Sequence, residues 1–202
     1  MNRIEISKAN IIDALMDSPD VRYRAQHAVE SHFGLVGIWQ CEQYRNGVLI
    51  AGAEPETPNV FTTEGVAYML NIMFGATSKA ASKIWYVGLF DNTVTPVIGD
   101  TAAAKLGAAG TYGALQTTTD MDEATYPSYN TAVVSAARVV TNAANKAEFT
   151  MAATLTIDGA FLGSSSDPTN TAGYLMAAKL FDVARSVIDG DILYTTYAIT
   201  VS

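Results

Sequence analysis

The amino-acid sequence predicts a mainly β protein, an antiparallel β-sandwich or jelly-roll-like domain with short helices at its N-terminal side. Three observations support this fold class. From residue 35 onward, short aromatic and β-branched runs alternate with turns that contain Gly, Asn and Asp. Asn46-Gly47 stands between two such runs, and this pair is the strongest short-range signal of a β-hairpin. The last run, 192–201, places Leu193, Tyr197 and Val201 on one face, which is typical of a half-buried antiparallel strand.

Composition limits the classes of function. The chain has 202 residues, of which 49% are hydrophobic and 16% charged, so it is too apolar for a disordered protein and long enough to bury a core. Its net charge of −8 disfavours direct binding to nucleic acid, because that affinity depends on basic side chains. No apolar run approaches the roughly 18 residues of a transmembrane helix. We therefore expect a soluble acidic protein with no nucleic-acid partner and no membrane partner.

The first 33 residues are predicted to form a separate helical arm. Two short helices are expected, one that ends before Ser18-Pro19 and one over about 20–33 that ends at Gly34. Because these helices are only partly apolar, we expect them to dock on their own domain or on a neighbouring subunit. The candidate partner contacts are the apolar stripe of the first helix, formed by Ile11, Ile12, Leu15 and Met16.

The second predicted domain, 34–202, opens with a hairpin of strands over 37–44 and 48–51 and a loop over 54–60. A helix is predicted over about 64–74, since Thr62 or Thr63 can cap its start and Gly75 can end it. The aromatic run over 84–90 predicts the next strand. Later strands, separated by turns such as Asp158-Gly159, are predicted over 132–135, 139–140, 147–151, 154–157, 160–162, 174–181 and 192–201.

A long polar segment from about 91 to 129 separates the two groups of strands. It is rich in Thr, Ala, Gly and Asp. Loops of this length are uncommon in a compact domain and usually have a functional role or contact a partner. We therefore expect the region 93–131 to drape over a neighbouring protein and to become ordered on binding.

The search for catalytic, metal-binding and cofactor-binding patterns predicts no enzyme, no metal and no cofactor. His27 and His32 are five residues apart, which places them about 140° apart around a helix rather than side by side as metal ligands would be. Cys41, the single cysteine, is predicted to be a small buried side chain. The serine-rich run 163–167 lacks the closing glycine of a nucleophile elbow, and the glycine-rich run 107–113 lacks the lysine of a phosphate-binding loop.

Acidic and aromatic clusters offer two weaker possibilities. The carboxylates over 120–123 and 189–191 do not match a complete calcium-binding loop, so solvated turns are the favoured interpretation. The aromatic side chains either form a sugar-binding platform or pack in the core, and their strand spacing favours the core. They are Trp39, Tyr44, Trp85, Tyr86 and Phe90.

Several segments, taken in order, resemble a known group of proteins. They are the run 58–65 (PNVFTTEG) with the helix that follows it, 85–90 (WYVGLF), 158–162 (DGAFL), 185–191 (RSVIDGD) and 197–201 (YAITV). This order resembles small virion structural proteins of tailed bacteriophages and is similar to head decoration, or capsid cement, proteins. The resemblance covers roughly residues 36–202.

The resemblance implies a β-sandwich that binds the outer surface of the phage head and stabilises the shell by bridging capsid subunits. The implied partners are the major capsid protein and two further copies of the chain in a homotrimer. The implied location is the exterior of the virion capsid, after synthesis in the host cytoplasm. An alternative is a tail, baseplate or fibre component that binds a receptor or a glycan.

Overall fold

Most of the strands predicted from the turn signals are present in the structure, a computed structural model of the chain. It describes residues 34–52, 59–75, 85–131 and 138–201. The predicted helical arm over 1–33 and the predicted strand over 132–135 lie outside the described residues. Val36–Thr200 forms one compact unit. The division of the chain between residues 33 and 34 stays a prediction.

Two antiparallel sheets form the body of this unit. Its elements are β1 (Leu35–Arg45), β2 (Val48–Ala51), β3 (Val60–Phe61), α1 (Thr63–Phe74), β4 (Tyr86–Phe90), α2 (Ala102–Lys105), β5 (Val139–Thr141), β6 (Ala147–Thr150), β7 (Leu155–Gly163), β8 (Leu175–Val187) and β9 (Ile192–Val201). One sheet has the order β2-β1-β9-β5, with β6 also paired to β9, and the other has the order β3-β8-β7-β4. The mainly β, antiparallel fold class is confirmed, whereas the jelly-roll connectivity stays a prediction.

A single apolar core contains residues of both sheets. Trp39 of β1 stacks on Tyr197 of β9 with ring centroids 4.1 Å apart, and both side chains are fully buried. Phe161 of β7 and Val87 of β4 are buried in the same core from the second sheet. Cys41 is also fully buried, as its sequence position predicts. Aromatic burial on this scale is a large part of the hydrophobic stabilisation of the fold.

Helix α1 begins and ends where the sequence predicts. The Thr62 hydroxyl accepts a hydrogen bond from the Gly65 N–H at 3.1 Å, which satisfies one of the free donors at the helix start. At the other end, Gly75 N–H donates to the Asn71 carbonyl at 3.0 Å. Among the described helices, none combines the length and apolar character needed to cross a bilayer.

Strands β7 and β8 are both longer than the sequence predicts. The expected turn at Asp158-Gly159 is wrong, because β7 continues through it with a register irregularity between Ile157 and Gly159. A side chain at Gly159 would overlap the Phe90 ring, so glycine allows β7 and β4 to approach closely here. The expected end of β8 at residue 181 is also wrong, since β8 pairs with β7 as far as Val187.

The segment 91–131 packs against the chain's own sheets rather than extending away from them. Its side chains Tyr112, Leu115, Met121 and Tyr126 are buried. Tyr112 stacks on Phe90 at 4.7 Å, and this burial raises the pKa of the Tyr112 hydroxyl well above its usual range. The expectation that this segment gains its order only on binding is therefore wrong, since aromatic contacts with its own core already hold it. Its contact with a neighbouring protein stays a prediction. The short helix α2 within it was not predicted.

We predict that Gly65→Ala destabilises the protein. A Cβ at residue 65 would overlap the backbone Cα of Met176, where α1 packs on β8, and backbone atoms cannot move aside as a flexible side chain can. Overpacking of this kind costs about 1–3 kcal/mol, measurable as a lower midpoint of urea unfolding. Gly99→Ala is the matched control, because a Cβ there meets no atom within 4 Å. Equal midpoints for the two variants would contradict the close packing of α1 on β8.

Candidate interaction surfaces

The β1–β2 hairpin ends in an exposed apolar tip. Its turn residues Asn46 and Gly47 have φ values of 50° and 76°, the left-handed conformations that a two-residue hairpin turn requires. The next three side chains are exposed, at 63% for Val48, 50% for Leu49 and 47% for Ile50. Because successive strand residues point to opposite faces, neither face of the tip is covered. We call Val48, Leu49 and Ile50 the hairpin tip.

A buried carboxylate fixes the β1 side of this hairpin. Asp191, in the turn between β8 and β9, accepts hydrogen bonds from Arg45 Nε at 2.8 Å and from Arg45 Nη2 at 2.7 Å. It also accepts from Gln43 Nε2 at 2.9 Å and from the Ile188 N–H at 3.1 Å. The hydrogen bond from Arg45 is the largest influence on this carboxyl group and, against the opposing effect of burial, the pKa of Asp191 falls to about 2.

A buried arginine fixes the β2 side of the hairpin. Arg185 Nη2 of β8 donates to the carbonyl of Cys41 in β1 at 3.2 Å and to the carbonyl of Gly52, just after β2, at 2.7 Å. A single guanidinium therefore holds both strands at their base. With both strands anchored, the hairpin tip is presented in a fixed orientation.

A second apolar surface lies beside α1. A groove of about 260 Å³ runs between the helix and the segment that contains Ile98. None of the described residues that line this groove is charged, and they are Phe61, Thr62, Thr63, Val66, Ala67, Leu70 and Ile98. Ile98 and Leu70 are exposed, and Met73 and Phe74 continue the apolar surface along the helix. We call this surface the α1 groove.

Backbone hydrogen bonds to one side chain hold α1 in place at this groove. Glu64 Oε2, in the first turn of the helix, accepts from the Ala102 N–H at 2.8 Å and from the Leu175 N–H at 2.7 Å. These bonds tie α1 to the start of α2 and to the start of β8. The Thr63 N–H donates to the Ile98 carbonyl at 2.8 Å, which fixes the opposite wall of the groove.

The hairpin tip and the α1 groove lie at opposite ends of the unit. Gln43 Nε2, near the base of the hairpin, donates to the Ser186 carbonyl at 2.9 Å. The Thr62 N–H, beside the groove, donates to the Met176 carbonyl at 3.0 Å. Both carbonyls belong to β8, and the β7 residues that pair at these two places, Thr156 and Leu162, are six strand residues apart, a span of about 20 Å. The extra residues of β8 between Leu180 and Arg185 bulge out of the pairing. Each copy of the chain therefore carries an apolar protrusion at one end and an apolar groove at the other.

A group of aromatic side chains joins α1 to the residues just before β4 and β8. Tyr68 stacks on Tyr174 with centroids 4.0 Å apart, and Trp85 packs edge-on against Tyr68 at 5.9 Å. Tyr174 is exposed and Trp85 is half-buried, whereas Trp39 and Phe90 are fully buried as the core interpretation predicts. The accessible aromatic group is therefore Tyr68, Trp85 and Tyr174. Of these three, only Trp85 belongs to the platform that the sequence pattern offered.

The other candidate groups have structural roles. Asp120 Oδ2 accepts from the Gln116 N–H at 2.7 Å, and Glu123 Oε1 accepts from the Thr150 N–H at 2.8 Å. In the serine-rich turn, Ser164 Oγ accepts from the Tyr174 N–H at 2.8 Å. Across the described ranges, no group of three or more His, Cys, Asp and Glu side chains is placed to hold a metal ion.

The candidate contacts of the predicted N-terminal stripe, Ile11, Ile12, Leu15 and Met16, lie outside the described residues, as do both histidines. Sequence reasoning missed the hairpin tip and the α1 groove. The sequence pattern could have indicated the tip. A strand with one exposed face usually alternates apolar and polar residues, whereas Val48, Leu49 and Ile50 are three apolar residues in succession. The groove had none, because its walls are far apart in sequence.

Comparison with protein-family models, with curated proteins and with solved structures finds no match for this chain.

We predict that Asp191→Asn destabilises the protein by about 2–4 kcal/mol. The substitution removes the charge of a buried carboxylate to which the partly exposed Arg45 and the buried Gln43 donate, and it turns an amide N–H₂ group toward one of these donors. Urea unfolding at pH 7 measures the loss. Asp189→Asn, an exposed position in the same turn, is the control and is expected to change the midpoint little. An equal loss of stability in both variants would show that any change in this turn destabilises the protein, and that the hydrogen bonds of the buried Asp191 carboxylate are not the cause.

The same carboxylate predicts a pH dependence of stability. The pKa of Asp191 in the folded chain, about 2, lies below its ordinary value of 3.8. The ionised form therefore stabilises the fold above about pH 4, and this contribution is lost as the pH falls toward 2. Unfolding free energies measured from pH 5 to pH 2 are expected to fall less steeply in Asp191→Asn than in the wild type. Parallel curves would contradict the role of this ion pair.

Proposed function

We propose that this protein is a bacteriophage capsid decoration protein that binds the outer surface of the head and stabilises the shell by bridging neighbouring subunits. The observation that carries the proposal is the pair of uncharged apolar surfaces, the hairpin tip and the α1 groove, at opposite ends of one anchored body. A protein that bridges neighbours needs a contact at each end. Multivalent contacts of this kind give durable attachment even when each contact is weak.

Two sequence features support the same proposal. The segment order that resembles head decoration proteins includes the runs 58–65 and 85–90, and within them lie β3, the start of α1 and β4. The net charge of −8 favours a position outside the shell, away from packaged DNA. The proposed partners are the major capsid protein and further copies of the chain, with a homotrimer as the proposed assembly.

The number of copies in each purified virion tests this proposal. We expect a simple ratio to the major capsid protein, because a decoration protein occupies repeated positions on the capsid lattice. Quantitative mass spectrometry of purified virions gives this ratio, with a known tail protein as the internal control. A count of three, six or twelve copies per virion would overturn the head assignment and move the protein to the tail, baseplate or fibre.

We propose that the predicted N-terminal stripe supplies a further contact to the capsid, in addition to the hairpin tip and the α1 groove. Replacing Ile12 and Leu15 by Glu is expected to weaken binding to heads that lack the protein by about 30-fold or more, since a charge then replaces an apolar anchor. Co-sedimentation with such heads measures this affinity. Asp13→Asn, which changes a polar position of the same segment, is the control. Unchanged binding of the double variant would contradict a role of the stripe in binding the capsid.

The accessible aromatic group favours a second candidate function, glycan binding by a tail or fibre component. Aromatic faces bind sugar rings, and Tyr174 is exposed beside Tyr68 and Trp85. This candidate predicts binding on a glycan array that Tyr174→Ala abolishes. Tyr44→Ala is the control, because Tyr44 belongs to a separate edge-on pair with Tyr194. If no glycan on the array binds and the virion copy number is high, the glycan-binding function is excluded and the decoration function remains.

A further inference from the structure

We propose that Asn46, in the turn of the β1–β2 hairpin, is a site of spontaneous deamidation, and that the anchored hairpin slows this reaction until the hairpin opens. This inference goes beyond the proposed function, because it concerns a chemical change in the chain itself and needs no partner. The reaction replaces a side-chain amide by a carboxylate directly before the hairpin tip.

The residue after Asn46 distinguishes it from the other asparagines. Deamidation begins when the backbone nitrogen of the next residue attacks the asparagine Cγ, and a side chain on that next residue hinders the attack. Asn46 is the only asparagine of the chain that glycine follows. A Cβ at Gly47 would meet no atom within 4 Å, so the space around the attacking nitrogen is open.

The surroundings of Asn46 leave both reacting groups accessible to water. Asn46 and Gly47 are exposed. The register pairs Arg45 with Val48, so these two residues form the hairpin turn and lie outside the strand pairing. Among the hydrogen bonds of the described residues, none uses the Asn46 side chain or the Gly47 N–H. The side-chain amide and the attacking nitrogen therefore have no competing partner there.

The reaction needs only water. The Gly47 nitrogen forms a bond to Asn46 Cγ and loses its proton, and the Cγ–Nδ2 bond breaks. The leaving Nδ2 group gains a proton and departs as ammonia, which leaves a succinimide ring in the backbone. Water then adds to one of the two ring carbonyls and breaks its bond to the ring nitrogen. The product is aspartate or isoaspartate, and no atom is oxidised or reduced.

The closed hairpin opposes the attack. With a φ of 50°, Asn46 is in the left-handed region, where ψ is about +47°. At this ψ the Gly47 nitrogen lies on the far side of the Cα–C bond from the Asn46 Cβ, so the bond must rotate before the nitrogen can reach Cγ. Arg45 resists this rotation, because its guanidinium is bound to Asp191 at 2.8 and 2.7 Å. The reaction rate therefore depends on the fraction of molecules in which the hairpin is open.

Deamidation changes the hairpin tip. In isoaspartate the backbone runs through the former side chain, which lengthens the turn by one carbon. Hairpin register depends on turn length, so the pairing of Arg45 with Val48 is disturbed. Both products also place a new negative charge between Arg45 and the three apolar residues of the tip. The modified chain therefore presents this tip in a different orientation and with a charge beside it.

Incubation of the full-length chain at neutral pH tests the site. Mass spectrometry of peptides measures the replacement of the amide N–H₂ by O–H, in the folded chain and in the chain unfolded by urea. We expect deamidation at Asn46 to be at least about tenfold faster in the unfolded chain. Asn145 is the internal control, because it is also exposed in a turn but Lys146 follows it. Equal rates at Asn46 in the two states, or an Asn145 rate in urea as high as that of Asn46, would overturn the proposal.

Two variants of the folded chain test the role of the hairpin. Asp191→Asn weakens the hold on Arg45 and is expected to speed deamidation at Asn46 about tenfold. Gly65→Ala is the control, because it destabilises the contact between α1 and β8 and leaves the hairpin unchanged. If Asp191→Asn fails to fold by circular dichroism, Arg45→Lys replaces it, since lysine keeps the charge but loses the two parallel hydrogen bonds.

The comparison of these variants separates local opening of the hairpin from unfolding of the whole chain. A faster reaction in Asp191→Asn with an unchanged rate in Gly65→Ala supports the proposal. A wild-type rate in Asp191→Asn, or an equal acceleration in Gly65→Ala, would overturn the control by the hairpin. These measurements use the purified chain, so their outcome is independent of the decoration function.

Discussion

The buried carboxylate of Asp191 organises one end of this protein. A buried charge is costly unless hydrogen bonds and an opposite charge compensate for it, and here Arg45, Gln43 and the Ile188 N–H supply that compensation. Since these donors come from β1 and from the turn before β9, the carboxylate fixes the two elements relative to each other. The exposed hairpin tip has a defined orientation because its base is held in this way.

Glu64 plays a comparable part at the other end. Its carboxylate accepts from two backbone N–H groups, of Ala102 and Leu175, and so joins α1 to the long segment and to the second sheet. The close packing of Gly65 against the backbone of Met176 holds α1 on β8. Hydrogen bonds to a carboxylate therefore hold each apolar surface in place, those of Asp191 for the hairpin tip and those of Glu64 for the α1 groove. This arrangement gives a body with two fixed apolar surfaces.

The long segment between β4 and β5 shows how a polar composition can be misleading. Its Thr, Ala and Gly residues indicate a mobile loop, but four widely spaced aromatic and aliphatic side chains bury it against β4 and β7. Tyr129, near its end, donates a hydrogen bond to the Tyr197 carbonyl at 3.1 Å and so reaches the other sheet. Anchors separated by long polar stretches have no period, and the sequence pattern therefore does not reveal them.

The sequence alone determined the features whose causes are local. The Asn46-Gly47 turn and the Thr62 cap of α1 are set by neighbouring residues, and the structure has both. The alternation predicted for β9 is present from Ile192 to Thr195, but Thr196 is also buried and residues 198–201 are all half-buried. Only the tertiary structure decided the extension of β8, the register irregularity between β7 and β8 and the exposure of the hairpin tip and the α1 groove. These features depend on which distant strand or helix lies alongside, as with Phe90 over Gly159 or Ile98 beside Leu70. Long-range pairing and burial are properties of the assembled fold, and no window of the sequence contains them.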